Sequence, residues 1–409
     1  MRESLSPVAV RRLMARTIRV ALDGGPAHHQ LIERWAHAQA AESRWVAALT
    51  WDGVGAALGW ALAALDLKGV APPEVDAPAS LAYDEARAQC EQLTTYVERL
   101  GVELAAAGIP AVALKGSALL LRNVCPAAGI RWTSEIDVLV SESQAEPAAW
   151  VLESLDYVRG GAPEGQDAEL SRPFHDTFIG PDGQAVELHW RLGPARWGAS
   201  WNTSGWLGRA EPSSAAGMLV PCATDLFWHF LIHDARNHAW SSGSLRSALD
   251  LALAARARGF ALPEILERLD DDPRPGPLLE AIGDAANLSP ILAAEVEPSP
   301  QPRYLRLAAW RDAMGRRRWS VPRIAEGIAW GATLDRVRRF GGWHAVADRA
   351  LGMIPDAPPG TSPIGRLGHA FRTVRHALYV ALLAGAHLMS VPAKRLPGSG
   401  RRPRLSRAS

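Results

Sequence analysis

The chain has 409 residues, 48% of them hydrophobic and 21% charged, with a net charge of +1. That length divides into two or three folding units with cores of their own, and the apolar content excludes a disordered protein. Near-neutral charge gives no general attraction for nucleic acid.

Cys90, Cys125 and Cys222 are far apart and odd in number. They match neither a disulfide framework nor a metal spacing, and they fit a reducing cytoplasm. The first residues lack an apolar segment of the signal-peptide kind, and no apolar run reaches the length of a membrane span. Charge is uneven along the chain. From residue 301 onward twenty basic residues face five acidic ones, a balance of +15 that leaves −14 for the first 300. The two parts are thus expected to meet different surroundings or each other, with the basic part open to a protein partner.

Residues 8–107 read mostly as helix, with apolar positions at helical spacing over 10–22, 31–49 and 81–104. The Gly/Pro-rich stretch 69–78 reads as a linker. A strand follows at 109–114, then a helix at 117–123, a strand at 135–140 and a helix at 144–155. Two more strands lie near 174–179 and 184–190, with Asp182-Gly183 as a hairpin signal. The pattern predicts an α+β fold, a small mixed sheet between helical regions.

From residue 222 helices return. Residues 316–319 and 355–363 read as connectors, and 397–409, mostly Arg, Pro, Ser and Gly, as a disordered basic tail. The expected division is an N-terminal helical region (1–80), a core (81–195), a helical domain (196–290), a basic helical region (291–396) and the tail.

The core carries the chemistry. Glu135 and Asp137 lie at i and i+2 in an apolar, β-branched run, so on a strand they project from one face. Two acids side by side on a buried strand are unfavourable unless a cation neutralises them, and a hard ion such as Mg²⁺ or Mn²⁺ is the economical choice. Upstream, Lys115-Gly116-Ser117 follows an apolar strand at the start of a helix, where backbone N–H groups can face a phosphate. Downstream, Glu187 and His189 share the polar face of another alternating run and bring a third carboxylate.

Together these residues resemble the uncharacterised nucleotidyltransferase family of the polymerase-β superfamily. The likeness rests on Leu114-Lys115-Gly116, Arg131, the Glu135-Ile136-Asp137 run and Glu187-Leu188-His189-Trp190, and continues through Asp225, His229, His233, Arg246 and Asp250 over roughly residues 25–260. It implies an enzyme that moves a nucleoside monophosphate from an NTP to an acceptor and releases pyrophosphate. Glu135, Asp137 and Glu187 would hold the metal and carry the catalysis. Lys115, Gly116, Ser117, Arg131 and His189 would bind the nucleotide. The acceptor implied is a small molecule or a peptide rather than nucleic acid.

The family has Asp where this chain has Glu135 and Glu187. Glutamate carries the carboxylate outward by roughly 1.5 Å, so a catalytically decayed fold kept as a binding or scaffold protein is the alternative.

Other residues have structural readings beside functional ones. His175 sits on a core strand. His229 and His233 are one helical turn apart but lack the glutamate of a zinc motif. Arg246 and Asp250 suit an intrahelical ion pair, or a place in the nucleotide cleft. Trp197, Trp201 and Trp206 suggest an exposed aromatic loop that stacks a base, and residues 377–391 a buried terminal helix or an amphipathic one.

Overall fold

A computed structural model describes residues 5–40, 45, 48–49, 53–160, 174–193, 203–233, 244–272 and 275–316. The chain divides into two units: residues 1–238 with 243–313, and residues 239–242 with 314–409. The expectations for Trp197, Trp201, residues 317–319, 355–363 and 377–391 and the basic tail lie outside the described residues.

Helices α1 (Pro7–Leu22), α2 (His29–Ala36) and α3 (Gly55–Ala64) precede the long α4 (Pro73–Ala106). The chain then alternates: β1 (Ala111–Ala113), α5 (Lys115–Leu121), β2 (Glu135–Leu139), a 3₁₀ turn at Glu142–Gln144, α6 (Ala145–Ser154), β3 (Val158–Arg159), β4 (His175–Ile179) and β5 (Ala185–His189). After α7 (Thr203–Arg209) come β6 (Glu211–Pro212) and β7 (Met218–Val220). The helices α8 (Ala223–Ile232), α9 (Leu245–Ala254), α10 (Leu262–Asp270), α11 (Gly276–Ala286), α12 (Pro290–Ala293) and α13 (Arg303–Arg316) follow. The fold is α+β, as the alternation predicts.

The stretch read as a linker is a correction: from Pro73 it is helix. Proline is accepted there because it stands at N1, where a backbone N–H has no helical partner to lose. Glu74 and Asp76 fill the first turn and suit its partial positive charge. The Asp76 carboxylate also accepts the Gly69 N–H at 2.8 Å, which ties the entry turn down.

Seven strands among the described residues form one mixed sheet in the order β3-β4-β5-β2-β1-β7-β6. β2 runs antiparallel to β1 and parallel to β5, and β5 forms an antiparallel hairpin with β4 through Asp182-Gly183. Gly183 takes φ +84° in that turn, a region an L side chain rarely adopts.

Alternation sorts the two faces. Ile136 and Val138 of β2, Val186 and Leu188 of β5 and Phe178 of β4 form a buried cluster with Leu93, Val97, Leu100 and Leu104 of α4 and Ala148 and Leu152 of α6. Each large side chain there contributes about 1.5–3 kcal/mol by leaving water. The opposite face carries Glu135 and Asp137 on β2, and Glu187 and His189 on β5. Apolar burial on one face therefore fixes which way the acids point.

Candidate active site

The register of β2 and β5 builds the site. Asp137 and Glu187 are direct partners across the parallel pair, and Leu139 faces His189. Two acids from separate strands thus stand side by side, with His189 one pleat further along. Asp137 and His189 are buried, and Glu187 is half-buried. His189 Nε2 lies 3.1 Å from Asp137 Oδ1 and 3.3 Å from Glu187 Oε2, so its Nε2–H tautomer donates into the pair.

Lys115 enters from β1. The Leu114 N–H donates to the Asp137 carbonyl at 2.9 Å, continuing the β1–β2 ladder, and the chain then turns sharply into α5. Lys115 takes φ +46°, a left-handed backbone rare for a non-glycine residue, at a cost of about 1–3 kcal/mol. The turn delivers its Nζ to 2.5 Å from Asp137 Oδ1 and 2.9 Å from Glu187 Oε2. Burial opposes the ammonium charge, yet the two carboxylates outweigh it and raise the Lys115 pKa. Burial likewise would raise Glu187, but the His189 hydrogen bond and the Lys115 ammonium hold its carboxyl well below the usual range.

Glu135 differs from its neighbours. Half-buried at the open end of β2, its carboxylate makes no hydrogen bond or ion pair among the described residues. Burial, together with the charges of Asp137 and Glu187, pushes its pKa up. The folded protein therefore holds the Glu135 proton more readily than the unfolded chain does. Stability falls as pH rises through the raised pKa, and below the ordinary glutamate range the cost is gone. Glu135→Gln is expected to raise the thermal midpoint of metal-free protein at pH 7, with the gain fading in acid. An equal gain at pH 7 and at pH 4 would contradict this account.

The candidate ligand atoms of Asp137, Glu187 and His189 lie within 4.8 Å of one another. Their oxygens already hold one cation, the Lys115 ammonium. Donor chemistry and spacing therefore fit a divalent metal, with Glu135 at the edge rather than inside the group.

Arg131 supplies positive charge beside the acids. Asp250 on α9 grips its guanidinium twice, at 2.8 and 3.2 Å, and its third nitrogen donates to Thr133 Oγ1 at 2.8 Å. The guanidinium lies 5.8 Å from the Phe230 ring centroid on α8. Gly116 makes room for this arrangement, since a Cβ there would stand 2.3 Å from both the Arg131 guanidinium and Thr133 Oγ1. Gly116→Ala is expected to lower the urea midpoint by the equivalent of about 1–3 kcal/mol of overpacking. An unchanged midpoint would mean that the two side chains move aside freely.

Asp250 thus serves Arg131 rather than closing an intrahelical pair with Arg246. Arg246 donates to the Trp132 carbonyl at 3.1 Å and has no acid within ion-pair distance among the described residues. The neighbouring Arg131 charge, helped by burial, lowers its pKa. Asp250 and Glu135 oppose that shift without forming an ion pair with Arg246. Its relation to Arg131 spans 115 residues of sequence and is visible only in the fold.

Ser117 is buried in the first turn of α5, and its hydroxyl has no hydrogen-bond partner among the described residues. His175 stands at the rim, its Nε2 3.9 Å from Glu187 Oε1 and its ring centroid 4.9 Å from that of His189. Burial, then the neighbouring His189, lowers its pKa. His229 is buried on α8, edge-on to Trp206 and to His233. Trp206 is therefore core, not part of an exposed aromatic loop.

The chain belongs to the uncharacterised nucleotidyltransferase family, whose model matches residues 39–271, more than half of its length. Every residue of the site just described falls inside that match. No curated protein and no solved structure matches the chain. No helix among the described residues is long and apolar enough to cross a membrane.

Proposed function

We propose that this protein is a cytoplasmic, divalent-metal-dependent enzyme that moves a nucleoside monophosphate from an NTP to an acceptor, a small molecule or a peptide or protein, and releases pyrophosphate. The observation that carries the reading is the β2–β5 register, which sets Asp137 beside Glu187 with His189 against both. Those three residues would hold Mg²⁺ or Mn²⁺. Glu135, the acid of this face without a partner, is the group free to complete the ligand set or to take the acceptor's proton. When bound, the ion supplies charge for the phosphate oxygens and lowers the pKa of the acceptor hydroxyl.

Arg131, locked by Asp250, presents a fixed cation to the triphosphate, and Arg246 beside it offers a second one, without an ion pair among the described residues. Ser117 brings a hydroxyl without a partner among the described residues, and Gly116 leaves room for the Arg131 guanidinium. Lys115 would meet the same phosphates. Most of the rate would then come from positioning and charge, not from covalent work by the protein.

The alternative, a decayed fold acting as a scaffold, draws on Lys115: its ammonium already balances the acids, so they need no metal to be tolerated. Incubation with Mn²⁺ and NTPs labelled at the α or the γ phosphate separates the readings. Pyrophosphate carrying the γ label, with the α label on an acceptor, is expected. Orthophosphate as the labelled product would contradict the proposal, and so would the absence of turnover with any NTP.

A further inference from the structure

Three of the chain's 44 basic residues are lysine, at positions 68, 115 and 394; the others are arginine. One of the three stands on the acid pair. Arginine and lysine are not interchangeable there: guanidinium is a broad planar fork, whereas ammonium is a compact point charge that fits between two carboxylates as a small cation does. Lys115 Nζ contacts Asp137 Oδ1 and Glu187 Oε2, the same two oxygens that face His189 Nε2. One oxygen of each of these carboxylates is also grouped closely enough with His189 to hold a metal ion. The strained backbone of Lys115 is what brings the ammonium there.

We propose that Lys115 is the resident counter-cation of the acid pair, that a divalent ion must displace it to bind, and that the displaced ammonium becomes a ligand of the nucleotide phosphates. This inference rests on the nucleotidyltransferase reading and deepens it. Ammonium and dication compete for the same two carboxylates and repel each other, so binding of the ion drives the ammonium off the pair. Before metal binds, the lysine is engaged with Asp137 and Glu187 and unavailable to phosphate. After metal binds, the phosphates are the anions left for it. One side chain thus links the two binding events: metal loading prepares the cation that receives the nucleotide.

The test is Mn²⁺ binding to the full chain, read from the spin-resonance signal of free Mn²⁺, in wild type and Lys115→Met. Removing the competitor is expected to tighten Mn²⁺ at least ten-fold. Equal or weaker binding by the variant would overturn the inference.

A second readout uses unmodified protein, so it does not depend on the variant folding. Acylation with a succinimidyl ester is followed by mass spectrometry, with the exposed Lys68 as internal reference. Saturating Mn²⁺ is expected to raise Lys115 labelling relative to Lys68 about ten-fold. A ratio unchanged by Mn²⁺ would also overturn the inference. If wild type binds Mn²⁺ and these effects are missing, only the role of Lys115 falls. If neither protein binds Mn²⁺, even with a non-hydrolysable NTP present, the nucleotidyltransferase reading falls with it.

Discussion

Asp137→Asn is expected to weaken Mn²⁺ binding by more than about 100-fold and to remove metal-dependent nucleotide binding with it, while the protein stays folded. Asp137 is 1% exposed, and a single oxygen, Oδ1, meets both Lys115 and His189. Asparagine keeps the shape and removes one unit of negative charge and one ligand oxygen. Losing an outer partner of a metal ligand already costs 10–100-fold in affinity, and losing a ligand costs more. Lys115 keeps Glu187 as its partner, so a circular-dichroism melt should show a cooperative transition like that of wild type. Unaltered Mn²⁺ affinity in a folded variant would remove the acid pair from the account of the site.

The second large effect is on stability. Asp250→Ala leaves the Arg131 guanidinium inside the protein without its acid. Both side chains of that pair are only 11% exposed. Removing one partner of a buried pair costs about 3–5 kcal/mol, because the remaining charge is stranded rather than because the pair itself is worth that much. A large fall in the urea midpoint is the expected result.

The double variant Arg131→Met with Asp250→Leu strands no charge and should recover most of the loss. It should not recover nucleotide binding, since the cation offered to the triphosphate is gone. Recovery of both stability and nucleotide binding would show that the Arg131–Asp250 pair serves the fold alone.

What was legible in the sequence follows from which forces act locally. The alternation of Glu135-Ile136-Asp137-Val138-Leu139 and of Val186-Glu187-Leu188-His189 fixes strand and face at once, because one face must be buried. The hairpin at Asp182-Gly183 announces itself through a residue that needs φ > 0. The family likeness was legible for the same reason, since its motifs lie on those strands.

Short elements were not legible. β7 holds three residues, too few to show a period, yet it pairs in parallel with β1 and widens the sheet. Pro72-Pro73 reads as a break because proline usually ends a helix, and here it begins one. Likewise the apolar spacing over 31–49 suggests one helix, whereas α2 closes at Ala36.

Side-chain partnerships were the least legible part of the site. Arg131 and Asp250 are 119 residues apart, and only the fold, which brings the segment before β2 to α9, makes them a pair. Arg246 and Asp250, one helical turn apart, look like mutual partners until Arg131 is seen to hold the aspartate. Lys115, expected on phosphate, reaches the acids through a left-handed turn that no periodicity announces.

Calorimetric titration of the full chain with a non-hydrolysable NTP analogue, with Mg²⁺ or Mn²⁺ and again in a chelator, tests the central claim most directly. Saturable binding at one nucleotide per chain, dependent on the divalent ion and lost in the chelator, is the expected result. Binding that is equally strong in the chelator, or no binding with either metal, would contradict it.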